Sequence, residues 1–297
     1  MIQYYSPLRY PGGKAKISNY IKLIITENYL EDGVYVEPYA GGASVALELV
    51  INEYVSKVLI NDIDRMIYAF WDAVLFNAEK LCKKIRDTKV TIAQWKRQKK
   101  IQKNIDDYTN FELAFATFFL NRTNRSGILN AGVIGGKNQD GDWKLDARYN
   151  KENLISRIEL IAQYSDRIIL SNMDAIPFIG QVQKTIKDKA LIYLDPPYYN
   201  KGKQLYINFY EHQDHLEIAE LISKIDKGNW IISYDDTIEI KKMYSNYRQQ
   251  IYSLSYSAAQ ASKGSEVIVY DDKLKIPKII NPTDKSEIKE YYAQNYV

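Results

Sequence analysis

The sequence of 297 residues is poor in features that would place it in a special class of protein. Its one cysteine, Cys82, excludes an internal disulfide framework and a zinc site built from several cysteines. No run reaches the roughly 18 to 20 apolar residues that a membrane span needs, and no basic region with an apolar core opens the sequence. The net charge is only +3, so composition by itself indicates no polyanionic partner.

What the chain does have is the composition of an ordinary globular protein. Hydrophobic residues make up 46% and charged residues 26%, which excludes disordered, collagenous and coiled-coil chains. The length suffices for one large domain or two ordinary ones, with a core that needs no disulfide or metal. We therefore expect a soluble, cytoplasmic protein.

Hydrophobic periodicity predicts alternating strands and helices in two parts of the chain. The first part holds predicted helices at 18–28 and 44–55 and predicted strands at 34–36 and 57–60. The second part holds predicted helices at 153–164 and 213–224 and predicted strands at 167–171, 190–194 and 230–234. Such alternation is typical of a parallel sheet covered by helices. Two further strands, at 247–257 and 266–270, predict an antiparallel hairpin that closes the sheet.

The segment 66–152 interrupts this alternation. Its pattern is helical up to residue 120, and the glycines, asparagines and aspartates that follow predict loops or a β-hairpin. Within it, residues 83–103 hold nine lysines and arginines against one acid, Asp87. Such a run is typical of a nucleic-acid-binding surface, although a solvated helix face is the alternative. The residues from 281 onward are polar and predict a loosely attached tail.

A glycine turn joins the first predicted strand to the next helix in the sequence VEPYAGG. Glu37 ends the strand, and Gly41 and Gly42 would let a ligand approach the backbone at the carboxyl edge of the sheet. Asp62 ends the following strand, 21 residues after Gly41, where an acid can accept hydrogen bonds from ribose hydroxyls. An ordinary strand-to-helix turn is the alternative, but the added acid favours a ligand that contains a nucleoside.

The sequence LDPPYY follows another apolar strand at the same predicted edge. Pro196 and Pro197 fix φ and carry no backbone N–H, so the groups left there are acceptors. The Asp195 carboxylate and the Pro196 carbonyl are suited to receive both hydrogens of a planar amino group, and Tyr198 offers a face for stacking. A strand that ends in a simple proline turn is the alternative.

Two other candidates carry weaker signals. LRYPGGKAK could be mistaken for a phosphate loop, but Leu8 and Ala15 stand where that loop needs a glycine and a hydroxyl residue, so a surface turn with a solvated Lys14 is the alternative. His212 and His215 have a spacing that could hold a metal ion. Two histidines alone are more often surface polar groups, so we expect no metal.

Taken in their order, these motifs resemble one known family. LRYPGGK, VEPYAGG, NDID, FFLNRTNRSG and LDPPY are similar to the Dam-type (D12 class) DNA adenine N6-methyltransferases of the α arrangement, and the resemblance runs from residue 6 to residue 270. It implies an α/β fold: a Rossmann-like sheet of the S-adenosylmethionine-dependent methyltransferases with an antiparallel C-terminal hairpin. An inserted, mostly helical target-recognition domain is implied as well.

The resemblance also implies a division of the chain and an activity. Residues 1–65 and 153–280 would form the catalytic methyltransferase domain, residues 66–152 the target-recognition domain, and residues 281–297 the polar C-terminal tail. The implied activity is methyl transfer from S-adenosylmethionine to N6 of an adenine in a specific sequence of duplex DNA, by base flipping and in-line transfer. A cognate restriction endonuclease is a candidate partner.

Carried over residue by residue, the resemblance assigns a cofactor site and a catalytic site. The implied cofactor contacts are Tyr10 and Lys14 at the methionine end, Glu37, Pro38 and Gly41 beneath it, Asp62 at the ribose and Asp174 near the adenine. The implied catalytic strand end, which touches both cofactor and target base, consists of Asp195, Pro196, Pro197 and Tyr198.

The implied DNA contacts lie in the inserted segment. Members that read GATC resemble NRxGxNGLxRYN, whereas this chain has NRTNRSGILN at 121–130 and an Arg148-Tyr149-Asn150 triplet only later, so GATC is doubtful as the target. Lys99 and Lys100 are expected at phosphates. Arg122, Asn124, Arg125 and Asn130 are expected at the DNA, some of them reading base edges. The alternative is that Asn121 and Arg122 only cap and brace the recognition helix.

Two other functions stay open from the sequence. A protein or RNA methyltransferase with a related Pro-Pro motif is distinguished by Asn in place of Asp195 and by the lack of LRYPGGK and of the long insertion. A catalytically silent DNA-binding regulator on the same fold would be expected to have a decayed strand-end motif, whereas residues 195–198 are intact.

Overall fold

A seven-stranded sheet forms the centre of the computed structural model, which describes residues 4–10, 14–200, 210–255 and 263–296. The strands are β1 (Val34–Glu37), β2 (Lys57–Asn61), β3 (Ile168–Ser171), β4 (Ala190–Leu194), β5 (Asn229–Asp235), β6 (Arg248–Ser255) and β7 (Lys263–Tyr270). Their order is β3-β2-β1-β4-β5-β7-β6, with β1 to β5 parallel. β7 lies antiparallel between β5 and β6, which confirms the predicted hairpin, although its small-residue connection lies outside the described residues.

Both faces of the sheet are covered, which is why its parallel strands are almost continuously apolar. All five residues of β4 are buried. Leu191 and Tyr193 belong to one hydrophobic core, and Ile192 and Leu194 belong to a second one. Since successive side chains of a strand point to opposite faces, the two cores lie on the two sides of the sheet.

Strand register brings the chemistry-bearing residues to one edge. Val36 of β1 pairs with Leu59 of β2 on one side and with Ile192 of β4 on the other. The three parallel strands therefore end nearly level with one another. As a result Glu37, Asp62 and Asp195 emerge at the same carboxyl edge.

Helices cover the sheet and build most of the inserted segment. They are α1 (Ser18–Glu27), α2 (Ser44–Ile51), α3 (Arg65–Phe76), α4 (Ala78–Asp87), α5 (Ile92–Lys103), α6 (Asn110–Thr123), α7 (Lys151–Ala162), α8 (Ala175–Thr185), α9 (His212–Ile222), α10 (Ile238–Met243) and α11 (Lys285–Tyr296). Across the described ranges, none of them has the length and apolar composition needed to cross a bilayer.

The inserted segment is mostly helical, as predicted; its helices α3 and α6 pack on each other, and α3 also contacts β3 of the sheet. The rings of Phe70 and Phe118 stack with their centroids 6.3 Å apart. The Thr117 hydroxyl donates a hydrogen bond to the Met66 carbonyl at 2.9 Å. The residues after α6 form loops closed by one isolated bridge between residues 124 and 133, which agrees with the predicted loops.

Two helices escaped the sequence analysis. Asp174 caps the N-terminus of α8, since its side chain accepts a hydrogen bond from the Ile176 N–H, and the helix buries Phe178, Ile179 and Val182 in the same core as β4 and β5. Pro177 and Gly180 interrupt the helical pattern of this segment. α10 has only six residues, too few to give a clear helical period, and is capped by Thr237.

The prediction that the residues from 281 onward form a loosely attached tail was wrong. Residues 285–296 form α11, which packs on α1. Ile288 is buried, and the Tyr291 hydroxyl donates to Glu27 Oε1 at 2.8 Å. One buried apolar side chain and one aromatic hydroxyl contact thus hold a helix that is otherwise polar.

Candidate active site

The carboxyl ends of β1, β2 and β4 open into one cleft of about 250 Å³. Glu37, Asp62 and Asp195 all line it. Lys14 enters it from the short 3-10 helix that precedes α1, and residues 127–130 of the inserted segment form another part of its lining. The predicted catalytic and cofactor residues are therefore brought together, next to the predicted DNA-binding segment.

The glycine turn after β1 is locked to the end of β2. Gly41 has a φ of +45°, and a Cβ at this position would lie 2.6 Å from the Tyr10 ring, so only glycine fits. The Gly41 N–H donates to Asp62 Oδ2 at 2.9 Å, and the Gly41 carbonyl accepts a hydrogen bond from Trp71 Nε1 at 2.9 Å. The two motifs that the sequence placed 21 residues apart are thus in direct contact.

Two of the cleft carboxyls lie in surroundings that oppose their ionisation. Burial and then the nearby Asp64 charge raise the pKa of Asp62 to about 7, although two backbone N–H groups hydrogen-bond to it. Burial raises the pKa of Glu37 to about 8, although hydrogen bonds from the Tyr35 hydroxyl and the Ala46 N–H, both at 3.1 Å, act to lower it. The cleft therefore carries strong hydrogen-bond acceptors that a cationic or hydroxyl-bearing ligand would satisfy.

The Lys14 ammonium is the centre of a buried charge cluster. Its Nζ lies 2.8 Å from Asp195 Oδ1 and 3.4 Å from Glu266 Oε1, and it donates to the Tyr198 hydroxyl at 3.3 Å. Burial alone would lower the pKa of Lys14, but Asp195 and Glu266 raise it well above its ordinary value. Lys14 is therefore charged and tied to Asp195, the residue that follows β4, a contact that the sequence did not predict.

Glu266 is a site residue that the sequence analysis missed. It lies on β7 with an exposed fraction of 0%, and its carboxylate accepts hydrogen bonds from the hydroxyls of Tyr198 and Tyr252. The available signal was a glutamate at the start of the apolar run EVIVY, because an acid in a buried strand requires a partner. That partner is Lys14.

Asp195 is held from both sides. In addition to the Lys14 contact, its Oδ1 accepts a hydrogen bond from Ser233 Oγ at 2.9 Å, and Ser233 is itself bonded to the Tyr193 hydroxyl at 2.7 Å. Burial raises the pKa of the Asp195 carboxyl, and the Lys14 ammonium opposes this rise. The carboxylate keeps a side-chain exposure of 21%, so it is fixed in direction yet still reachable from the cleft.

The other predicted residues of this edge take different positions. Pro197 lines the cleft and Pro196 is buried behind it. Tyr198 is only 3% exposed and lies against the Lys14 ammonium, whose Nζ is 5.1 Å from its ring centroid. Asp174 lines the cleft, but its carboxylate caps α8.

Two of the four residues predicted to lie at the DNA are buried and hydrogen-bond to backbone carbonyls of neighbouring segments. The Arg122 guanidinium, only 8% exposed, donates to the Pro7 carbonyl through Nε at 2.7 Å. Asn124 is fully buried and accepts from Trp95 Nε1 at 2.7 Å, while its Nδ2 donates to the Leu129 carbonyl at 2.8 Å. Asn121 likewise holds the backbone of the segment before Tyr10. This arrangement favours the alternative in which these side chains brace the helix end.

The remaining predicted DNA-binding residues are accessible. Arg125 and Asn130 are exposed, on the loop that reaches the cleft. Lys99 donates to the Leu129 carbonyl at 2.8 Å, which ties α5 to this loop, and Lys100 is exposed. Both lysines line a shallow groove of about 330 Å³, here called the lysine groove, formed by Trp95, Lys96, Lys99, Lys100, Lys103, Asn104 and Lys137.

The two histidines serve other contacts. His212 Nδ1 lies 2.9 Å from the Tyr199 hydroxyl, and His215 is buried with its Nδ1 3.2 Å from the Tyr234 hydroxyl. Burial lowers the pKa of His215 to about 4. Within the described part of the chain, no group of three or more His, Cys, Asp or Glu side chains is placed to hold a metal ion.

Comparison with known sequences finds one family match that covers most of the chain. Residues 10–259 match the family described as D12 class N6 adenine-specific DNA methyltransferase. A curated protein, the Type II methyltransferase M.MjaIII of Methanocaldococcus jannaschii, is 23% identical over 238 residues, which cover 74% of this chain and 80% of that protein.

Comparison with solved structures gives only distant similarities. TrmK of M. capricolum, solved with S-adenosyl-homocysteine, has a TM-score of 0.36 at 10% identity, covering 90% of this chain and 73% of that one. A precorrin 8w decarboxylase from Methanobacterium thermoautotrophicum has a TM-score of 0.34 at 13% identity, covering 84% and 88% of the two chains. The family match does not rest on them.

The raised pKa of Glu37 predicts how stability changes with pH. The folded state keeps the Glu37 proton up to about pH 8, whereas the unfolded chain loses it near its ordinary pKa of about 4.5. Between these values the folded state binds more protons, so stability falls as pH rises, by at most about 1.4 kcal/mol per pH unit. Glu37→Gln should remove this fall, measured as the free energy of unfolding in urea between pH 5 and pH 9. Parallel pH dependences for wild type and variant would contradict the prediction.

Proposed function

Because the chain belongs to the D12 class of N6 adenine-specific DNA methyltransferases, we propose that it methylates N6 of an adenine flipped out of a specific sequence in duplex DNA. The family makes it an enzyme, a DNA adenine methyltransferase that uses S-adenosylmethionine. The observation that carries the finer proposal is Asp195. Its carboxylate lies at the strand end beside the cleft and is held by Lys14 and Ser233.

The chemistry of the side chains that line the cleft supports the cofactor assignment. Asp62, oriented by two backbone N–H groups, is suited to accept hydrogen bonds from ribose hydroxyls. Glu37 is a buried carboxyl that accepts hydrogen bonds from the Tyr35 hydroxyl and the Ala46 N–H, and it is suited to bind the positive end of the methionine moiety. Tyr10 closes over Gly41, and Pro38 continues this wall. Met173 and Asp174 lie at the part of the cleft proposed for the cofactor adenine.

The proposed chemistry uses the strand end as an acceptor pair. When bound, the cofactor supplies a methyl group on a positively charged sulfur, which is already a strong electrophile. The Asp195 carboxylate and the Pro196 carbonyl accept the two hydrogens of the adenine amino group, which localises the nitrogen lone pair. Lys14 and Ser233 hold the carboxylate in place, so the residues contribute mainly positioning and exclusion of water.

Base flipping is part of the proposal because the amino group of a stacked adenine is out of reach of a cleft at a sheet edge. Tyr198 is proposed to support the flipped base. Its hydroxyl is held by Lys14 and Glu266, so its ring has a defined orientation next to Asp195. Stacking on the base would require the ring to become more exposed than the present 3%.

DNA binding is assigned to the inserted segment, residues 66–152, as the target-recognition domain. The lysine groove carries five lysines and is proposed to contact phosphates. Arg125 and Asn130, exposed on the loop beside the cleft, are proposed to read base edges. The burial of Arg122 and Asn124 leaves them the supporting role of holding this loop. Residues 1–65 and 153–280 are proposed as the catalytic domain.

A role in restriction and modification is a further part of the proposal. The name of the curated relative, Type II methyltransferase, supports this part of the proposal. We infer a cognate restriction endonuclease that reads the same sequence as this chain.

The function is tested with plasmid DNA and a cofactor labelled in its methyl group. The wild-type protein should place the label on N6-methyladenine after digestion to nucleosides, at one short repeated sequence. Asp195→Ala should lose transfer while keeping duplex affinity, because the lysine groove is untouched. Asp188→Ala, an exposed acid just before the opposite end of β4, is the matched control and should keep wild-type activity. Full activity of Asp195→Ala, or label on cytosine, would refute the mechanism.

Specificity separates Arg125 from the lysine groove. Arg125→Ala should relax the methylated sequence at one base position, since one bidentate arginine contact to guanine is worth about 1–3 kcal/mol of discrimination. Neutralising Lys99 and Lys100 together should instead weaken binding to all sequences. It should also reduce the slope of log affinity against log salt by roughly 0.9 per lost phosphate contact. Sequencing of methylated sites and binding titrations at several salt concentrations measure the two effects. An unchanged site in Arg125→Ala would remove that residue from base reading.

A further inference from the structure

Four arginines meet where the N-terminal segment contacts the inserted segment. Arg9 precedes the cleft residue Tyr10, Arg122 lies near the end of α6, and Arg148 and Arg157 lie just before and within α7. Arg157, Arg9 and Arg148 are close enough to Arg122 to repel its charge. Together with burial, this repulsion lowers the pKa of Arg122 to about 9. The group is called the arginine cluster below.

In the part of the chain that the structure describes, no carboxylate forms an ion pair with the arginine cluster. Within the described residues, the ion pairs of arginines with carboxylates involve Arg65, Arg167 and Arg248, none of which belongs to it. The segments outside the described ranges contain no aspartate or glutamate at all. Four like charges near one another, two of them partly buried and one buried, are unfavourable unless an anion joins them.

The cluster also holds donors that no protein acceptor satisfies. Arg9 Nη1 and Arg157 Nε are buried and have no hydrogen-bond partner among the described residues. Arg157 Nη1 is anchored to the Ser6 carbonyl at 3.1 Å, and Arg122 is anchored to the Pro7 carbonyl. The guanidinium groups are therefore fixed in position while part of their hydrogen-bonding capacity is unused, which is unusual for buried polar atoms.

The arginine cluster adjoins the cleft. Asn121 accepts a hydrogen bond from the Arg9 N–H at 2.7 Å and donates to the Arg9 carbonyl at 2.8 Å. Gly127, with a φ of +77°, packs so closely on Arg9 that a Cβ would lie 2.3 Å from the Arg9 carbonyl oxygen. Asn121 and Gly127 both line the cleft. An anion held by the cluster would lie next to the target base.

We propose that Arg9, Arg148 and Arg157 form a phosphate site that grips the DNA backbone beside the flipped adenine, with Arg122 as the buried brace behind it. Guanidinium groups are preferred over ammonium groups for this task because their planar donor fork matches the phosphate oxygens. Arg148 is exposed, and its Cζ lies 5.7 Å from the centroid of the Trp143 ring, so its guanidinium is accessible to a ligand. The proposal rests on the proposed function for the identity of the polyanion.

The test measures binding to a short fluorescent duplex of mixed sequence, without cofactor, at salt concentrations from low to high. Arg148→Gln should reduce the slope of log affinity against log salt by about 0.9, the value for one phosphate contact. Arg157→Gln should act in the same direction, with folding checked by thermal unfolding. Arg148→Lys keeps the charge and should retain the slope. Lys187→Gln, an exposed charge before the opposite end of β4, should behave as wild type.

A second arm separates backbone phosphate from a free anion. Thermal unfolding of wild type and Arg148→Gln is followed with inorganic phosphate alone. A slope loss in Arg148→Gln, with no comparable loss in Lys187→Gln, supports the proposal. An unchanged slope in Arg148→Gln overturns the proposal. If inorganic phosphate in addition stabilises the wild type but not Arg148→Gln, the site binds a free phosphate and not the DNA backbone. Since no methyl transfer is measured here, these results stand apart from the plasmid assay.

Discussion

One ammonium group held between two carboxylates, Asp195 at the cleft and the fully buried Glu266, orders the candidate active site. Lys14 contacts Asp195 at the end of β4 and Glu266 on β7, while the Tyr198 hydroxyl bridges it to Glu266. A charge in this position is tolerable only because its partners surround it, and each partner would be costly without it. The strand end that would meet the target base is therefore set only when the N-terminal segment and the C-terminal hairpin are both docked.

The same N-terminal segment also connects the catalytic cleft with the inserted segment. Residues before the cleft residue Tyr10 are held by α6, through the contacts of Asn121 with Arg9 and of Arg122 with Pro7. A few residues thus join the base pocket to the part proposed to bind DNA.

Much of the cleft could be predicted because it depends on local pattern. Apolar strands followed by acids placed Glu37, Asp62 and Asp195 at one edge, and the parallel register of β1, β2 and β4 brings them there. Gly41 and Asp62 lie 21 residues apart in the sequence, and a hydrogen bond of 2.9 Å joins the Gly41 N–H to Asp62 Oδ2. Period and strand-end position are properties of short segments, so they can be seen without knowledge of the tertiary contacts.

The sequence could not predict which polar side chains contact each other when they lie far apart along the chain. Glu266 lies 252 residues from Lys14, and nothing in either motif indicates their contact. Arg122 and Asn124 have the residue types of base readers, yet burial turns them into braces for Pro7 and Leu129. Polar side chains serve as ligands or as supports according to which backbone groups lie within reach, and that is decided only by packing.

The role of the Lys14 cluster is tested most directly by the pH dependence of methyl transfer in Glu266→Gln. The Glu266 charge helps to raise the pKa of Asp195, and Lys14 opposes it. Removing that charge while keeping the shape should lower the Asp195 pKa. The acidic limb of the kcat/KM profile should therefore move to lower pH than in wild type. An acidic limb that stays in place, with only the overall rate reduced, would contradict the electrostatic link between the hairpin and the catalytic strand end.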